Sequence, residues 1–127
     1  QYKANDIIMN NFDWRLVTRN MYGKGTSFTP DADYANCHSN RRNGNHRAFI
    51  IADVLVSKEQ TADRHSALKI TSEGYDTVIG LWGSEKMVYV KFNDNEFLPK
   101  YIVYYEIDDS TISASKYYER RNNHRRY

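Results

Sequence analysis

The sequence has little of what marks secreted or membrane proteins. Its 127 residues include one cysteine, Cys37, which excludes an internal disulfide and fits a reducing compartment. No stretch approaches the roughly eighteen consecutive apolar residues that a membrane-spanning helix needs. The first residues also carry no hydrophobic leader run. We therefore expect an intracellular protein, cytoplasmic or nuclear.

The formal net charge is also small, only +2. Residues 116–127 carry five basic side chains against one glutamate, a net of +4, which leaves −2 on the rest of the chain. Attraction to nucleic acid would therefore belong to this tail, where Tyr117, Tyr118 and Tyr127 could stack on bases. A solvated run of terminal charge is the commoner role for such a tail.

Motifs for metal binding or nucleophilic catalysis are missing as well. The four histidines are scattered without metal-ligand spacing, and Cys37 has no partner cysteine. Cys37 and His38 are adjacent, and neighbours on a helix do not face each other, so a nucleophile–base pair is not expected. Gly23-Lys24-Gly25 lacks the ending of a phosphate-binding loop and the third glycine of a dinucleotide fingerprint. Taken alone, it predicts a turn.

The apolar pattern predicts helices early in the chain and strands later. Ala4, Ile7, Ile8 and Phe12 have helical spacing, with Asn5 or Asp6 as the cap, and a second helix has Pro30 in its first turn. The predicted strands are Ala48 to Val56, which reads as buried, then Thr77 to Leu81, Met87 to Phe92 and Tyr101 to Ile107. The predicted loops are 38–46, 57–74 with a turn at Gly74, and 93–96.

This order of elements predicts an α+β fold with a mostly antiparallel sheet. The length allows one domain with a single modest core. We place that domain at residues 1–109. After Asp108 the apolar periodicity stops, so residues 110–127 are expected to form a frayed, Tyr- and Arg-rich basic tail.

Several short motifs, in order, resemble the catalytic domain of poly(ADP-ribose) polymerase-type, diphtheria-toxin-like ADP-ribosyltransferases. The similarity covers roughly residues 4–107 and rests on the segments 11–15 (NFDWR), 22–28 (YGKGTSF), 32–34 (ADY), 49–56 (FIIADVLV), 75–80 (YDTVIG), 88–90 (VYV) and 98–104 (LPKYIVY). The resemblance implies the ADP-ribosyltransferase fold, a mostly antiparallel split β-sheet with short helices. It also implies NAD as substrate and a protein as acceptor.

The resemblance assigns roles to particular residues. Tyr34 would stack on the nicotinamide ring, as flat rings do on aromatic side chains. The loop from Tyr22 through Gly23, Lys24 and Gly25 to Ser27 and Phe28 would line the ring pocket, because glycines allow backbone to approach a ligand closely. Arg15 would lie near the adenosine side, and residues 16–21 would form a short loop over the dinucleotide.

The sequence departs from the family at each member of its His-Tyr-Glu triad. The histidine belongs to a His-Gly-Thr segment that would precede Gln1, and the tyrosine position holds Ser27. The family's spacing places the catalytic glutamate at Val88, which cannot stabilise positive charge on the ribose or polarise an acceptor. Glu85 is a fallback only if the strand slips by three residues, which is expected to swap its faces.

Three functions remain open at this point. The first is an NAD-dependent protein ADP-ribosyltransferase domain that attaches at most a single ADP-ribose unit. The second is a catalytically dead pseudoenzyme that keeps the fold for binding NAD or ADP-ribose, or for scaffolding. The third is RNA contact through the basic tail.

Overall fold

The structure, a computed structural model, describes residues 2–12, 21–38, 44–64, 66 and 68–118. The helices in this part are α1 (Tyr2–Asn10), α2 (Ala32–His38) and α3 (Asp109–Ser113). Its strands are β1 (Thr26–Phe28), β2 (His46–Val54), β3 (Glu59–Thr61), β4 (Thr77–Trp82), β5 (Glu85–Lys91) and β6 (Phe97–Glu106). The expected α+β class is confirmed.

The strands form two sheets rather than one. The larger has the order β1-β5-β4-β3, in which β5 runs antiparallel to both its neighbours and β3 runs parallel to β4. The smaller is the antiparallel pair β2–β6. The sequence did not predict β3, since its three residues, Glu-Gln-Thr, lie in a polar stretch without alternation. The turns at Gly74, where φ is +83°, and at Asp94–Glu96 are confirmed.

The core lies on one face of the larger sheet. Its buried members come from the loop before β1, from α2, β4 and β5, and from the end of the described chain: Tyr22, Tyr34, Cys37, Val78, Met87, Val88, Val90, Phe92 and Tyr117. Val78 and Val90 are directly opposed on β4 and β5 and are fully buried. Apolar area removed from water is the main stabilising term for such a cluster.

The expectation that Ala48 to Val56 forms a buried strand is wrong. The strand begins at His46, and within it only Arg47 is buried, while Ile51 is half exposed. A run of β-branched residues indicates a strand, but burial depends on layers covering both faces. Here β2 belongs to a two-stranded sheet, and α1 packs against β6.

The expectation that the chain frays after Asp108 is wrong for residues 109–118. Asp108 caps α3 by accepting a hydrogen bond from the Thr111 backbone N–H at 2.8 Å, and Ile112 and Tyr117 are buried. This segment has no apolar periodicity because two isolated side chains, rather than a stripe, hold it to the core. Residues 119–127 lie outside the described part, so their predicted state stays a prediction.

The predicted helix caps are also corrected. Helix α1 begins at Tyr2, so Asn5 and Asp6 lie inside it, and the Asp6 carboxylate accepts from the Asn10 side chain at 2.9 Å. Pro30 precedes α2 instead of lying in its first turn. Asp31 caps this helix by accepting from the Tyr34 backbone N–H at 3.0 Å. A carboxylate in this position satisfies an N–H that has no partner within the helix.

A buried ion cluster joins the ends of β4 and β5. The side chain of Lys91 is fully buried, and its ammonium donates to the Thr77 hydroxyl at 2.8 Å and to the Asp76 carbonyl at 2.9 Å. It also lies 2.6 Å from a Glu96 carboxylate oxygen and 3.3 Å from one of Asp76. Burial by itself raises the pKa of Asp76, but hydrogen bonds from Thr77 and from the backbone of Lys58 and Ser57 outweigh it and hold that pKa below its ordinary value.

Candidate functional site

Three residues that the resemblance placed at the NAD site or at the position of its catalytic glutamate meet in the core. Tyr22, Tyr34 and Val88 belong to the same buried cluster, although 66 residues separate the first from the last. The ring of Tyr22 lies over Gly80 of β4, where an added Cβ would come 2.4 Å from it. Gly80 is in turn directly opposite Val88 on β5. The Tyr22 hydroxyl donates to the Leu81 carbonyl at 3.3 Å.

The Gly23–Gly25 turn is fixed against β5 and the segment around Leu68. The Lys24 backbone N–H donates to the Leu68 carbonyl at 2.8 Å, and the Lys24 side chain is exposed. Gly23 has φ of +123°, a region that favours glycine. A Cβ at Gly25 would lie 2.4 Å from the Lys91 carbonyl oxygen. Packing within the chain therefore explains both glycines.

Ser27 and Phe28 lie on opposite faces of the larger sheet. Ser27 is exposed and directly opposite Val90, so it shares the face of Val88 and borders the core cluster. Phe28 points the other way and packs against Phe12 and Phe97, with ring centroids 5.6 and 5.3 Å away. The structure thus brings Ser27, but not Phe28, to the side of Tyr34. Arg15 lies outside the described residues.

The ring of Tyr34 is enclosed by three aromatic neighbours. His38 stacks on it at 4.2 Å, one turn later on α2, while Tyr117 and Trp82 meet it in T-shaped contacts at 5.1 and 6.3 Å. Burial raises the pKa of Tyr34 to about 12. His38 is itself exposed at the end of the helix. A flat ligand ring could stack on this face of Tyr34 only by displacing His38.

A β-bulge changes the expected relation between Val88 and Glu85. The register pairs Gly80 with Val88 and Leu81 with Lys86, so Met87 is an extra residue on β5. Met87 and Val88 are both buried on the core side, and the bulge returns Glu85 to that same side. Glu85 therefore reaches the side of Val88 without the slip in register that the sequence analysis required. A bulge cannot be read from this alternating strand sequence.

Glu85 nevertheless lies at the outer end of β5. It is exposed and directly opposite Trp82, whose ring contacts Tyr34 and Tyr117. The glycine turn packs at the other end of the strand, where Gly25 meets Lys91. Glu85 and Lys91 are six positions apart, which corresponds to about 20 Å of strand. The carboxylate therefore faces the aromatic cluster and not the glycine turn.

The segment after α3 closes the cluster from the side of α2, a feature that the sequence did not indicate. The Tyr117 hydroxyl donates to the Asp31 carboxylate at 2.7 Å, and the Ser115 hydroxyl donates to that of Asp33 at 2.8 Å. The Cys37 sulfur lies 3.2 Å from the Ser115 hydroxyl. The hydrogen bond from the Tyr34 backbone, followed by that from Tyr117, lowers the pKa of Asp31.

Comparison with known families leaves this site without an assigned activity, because no family model matches the chain. In the part of the chain that the structure describes, no three His, Cys, Asp or Glu side chains are grouped so that they could hold a metal ion. None of the helices described there is long and apolar enough to cross a membrane.

Proposed function

We propose that this chain is an ADP-ribosyltransferase-type domain that takes NAD as substrate and attaches at most one ADP-ribose unit to a protein acceptor. The proposal includes the split-sheet fold of that family and an intracellular setting. The observation that carries it is the convergence of Tyr22, Ser27, Tyr34 and Val88 around one face of the larger sheet. These residues come from three separate motifs of the resemblance, and that proximity is what a shared pocket requires.

In this proposal Tyr34 is the stacking platform and His38 occupies its place in the unbound protein. An incoming nicotinamide ring would exchange one stacking contact for another, since His38 is at an exposed helix end. Ser27 would border the ring without enclosing it. The protein would bind NAD weakly, because the serine at position 27 offers no aromatic wall to the ring.

Transfer is limited by the side chain at position 88. A valine offers no charge to stabilise the positive ribose as the glycosidic bond breaks. Glu85 is the carboxylate that the bulge turns to the same side, next to Trp82. It would supply the negative charge from the rim of the aromatic cluster, at a poorer position than a buried glutamate would. Slow transfer of one unit is the expected outcome.

Rebuilding the missing wall tests the binding part of the proposal. The variant Ser27→Tyr places an aromatic side chain at an exposed position beside the platform. One added aromatic contact is expected to tighten NAD binding about three- to tenfold, measured by calorimetry. Ser84→Tyr, in the exposed turn between β4 and β5, is the matched control and should leave binding unchanged. Absence of NAD binding by both the parent chain and Ser27→Tyr would refute the proposal.

Binding without transfer is the second candidate, and the burial of Val88 in an apolar cluster favours it. Incubation with labelled NAD distinguishes the two. Label that is incorporated by the parent chain and lost in Glu85→Gln would support transfer. Binding with no label above a heat-treated control would identify a pseudoenzyme that keeps its pocket for ligand binding or scaffolding.

Contact with nucleic acid through the basic tail is a further candidate function. The structure reduces the number of tail residues that could make this contact. Tyr117 is buried against Tyr34 and Trp82, so it is not available to stack on a base. A deletion for this test should therefore begin at residue 119 and keep Tyr117. If the salt-dependent RNA affinity is the same before and after that deletion, the tail is not the binding site.

A further inference from the structure

The two-stranded sheet has an apolar face that is largely uncovered. On this face Phe49 is opposite Val103, and Ile51 is opposite Tyr101. Ile51 is 50% exposed and Tyr101 is 61% exposed. A two-stranded ribbon is only marginally stable in water unless further strands or a helix support it. The unusual feature is thus a β-ribbon with an exposed apolar face and, among the described residues, an edge that no other strand pairs with.

The hydrogen bonds at the ends of the ribbon show which backbone groups face outward. The Ile107 N–H donates to the Asn45 carbonyl at 3.1 Å, and the Leu55 N–H donates to that of Glu96 at 2.8 Å. Both bonds use an odd-numbered residue on the β2 side. Because hydrogen-bonded and non-bonded residue pairs alternate along an antiparallel pair of strands, the odd-numbered residues of β2 are the ones that bond to β6. Even-numbered residues, among them Ala48, Ile50 and Ala52, direct N–H and C=O away from it. No strand in the described ranges pairs with that outer edge.

The two edges of the ribbon differ in their protection. Strand β6 contains Pro99 and Lys100, and Lys100 is the extra residue of a bulge, since Ile51 pairs with Tyr101 and Ala52 with Pro99. Proline, lysine and bulges are the features that keep exposed edges from pairing with other strands. From Ala48 to Ala52, β2 has none of them. The unprotected edge is the one suited to accept a strand.

We propose that a second copy of this chain supplies that strand, with β2 antiparallel to β2 about a twofold axis at Ile50. This register places Ala48 opposite Ala52 of the second copy and Phe49 opposite its Ile51. Small residues thus face small ones, and large apolar residues face large apolar ones. The outward N–H and C=O of Ile50 would then bond to the C=O and N–H of the same residue in the second copy. The two ribbons become one four-stranded sheet, the self-complementary arrangement that a twofold dimer requires.

The expected dimer is reversible. A single nine-residue strand pair buries less than the roughly 800 Å² per partner of a standard interface. We therefore expect dissociation on the order of 10 µM, which sedimentation equilibrium resolves as a concentration-dependent mass. This assembly does not depend on NAD binding, so the outcome of the NAD experiments leaves it unaffected.

Charge at the edge tests the location of the interface. Ala48→Lys puts a lysine on the unprotected edge, directly opposite Ala52 of the second copy, and should weaken the dimer by about tenfold or more. Leu81→Lys makes the same kind of change at an exposed position on β4 and should leave the mass distribution unchanged. Circular dichroism checks that both variants keep the fold. A parent chain that stays monomeric at every concentration, or a dimer that Ala48→Lys does not weaken, overturns the proposal.

Cysteine cross-linking tests the register. In the proposed dimer the two copies of residue 50 have Cα atoms about 5.5 Å apart, within disulfide reach. Two copies of residue 48 lie four strand residues further apart, about 14 Å, and cannot be bridged. Mild oxidation should therefore cross-link Ile50→Cys but not Ala48→Cys. The parent chain controls for Cys37, which is buried. Equal cross-linking of the two variants overturns the register.

Discussion

Replacing Lys91 by methionine is expected to destabilise the fold strongly. The substitution keeps the length of the side chain and removes the fully buried ammonium that Asp76, Thr77 and Glu96 surround. Removing one partner of a buried ion pair costs about 3–5 kcal/mol, because the remaining charge is desolvated and unpaired. The carboxylate-bearing side chains of Asp76 and Glu96 are 24% and 26% exposed, so water solvates them in part. We therefore expect the lower end, about 3 kcal/mol.

Urea unfolding and thermal melting measure this loss. For a chain of this size, 3 kcal/mol corresponds to a fall in Tm of roughly 12 °C. Lys86→Met is the matched control, since Lys86 is on the same strand and also pairs with a glutamate, Glu59, but at the surface. It should change stability little. Adding Glu96→Gln to Lys91→Met should restore part of the loss. If Lys91→Met is no worse than Lys86→Met, the argument from burial is refuted.

Three further predictions concern stability. Hydrogen bonds hold the pKa of Asp76 below its ordinary value of 3.8, so its contribution is complete above that pH and is lost as pH falls below it. The difference in unfolding free energy between the parent chain and Asp76→Asn should therefore shrink below pH 4 in urea titrations; a constant difference would contradict this. Gly80→Ala should cost about 1–3 kcal/mol by overpacking against the Tyr22 ring, and an unchanged Tm would show that the ring moves aside. Tyr117→Phe should cost about 1–2 kcal/mol in urea unfolding, because Asp31 loses its hydroxyl donor. Equal stability would mean that water replaces this hydroxyl.

The sequence was sufficient for the elements with strong local patterns. Thr77 to Leu81 and Met87 to Phe92 alternate or run apolar, and both are strands within one or two residues of the predicted bounds. The sequence was not sufficient where contacts with distant parts of the chain determine whether a segment is a strand or a side chain is buried. The three polar residues of β3 are a strand because β4 lies beside them, and Tyr117 is buried because Asp31 and Tyr34 receive it. The residues around β3 and around Tyr117 carry no pattern that indicates these contacts.

Within the candidate site, the resemblance indicated which residues come together but not how each is oriented. Tyr22, Tyr34 and Val88 do meet, whereas Phe28 turns to the opposite face because successive strand residues alternate. The bulge at Met87 and the stacking of His38 on Tyr34 both depend on packing between elements. Residue spacing alone therefore could not place Glu85 on the core side or show that the ring of Tyr34 is already covered.

The contact between the segment after α3 and the start of α2 affects how the chain is made. Tyr117 bonds to Asp31 across 86 residues and fills the core between Tyr34 and Trp82. During synthesis this core stays open until residue 117 has left the ribosome, however early the strands have formed. Contacts so distant in sequence slow folding and expose apolar surface meanwhile. The apolar side chains of this core should therefore stay exposed to water until Tyr117 docks between Tyr34 and Trp82.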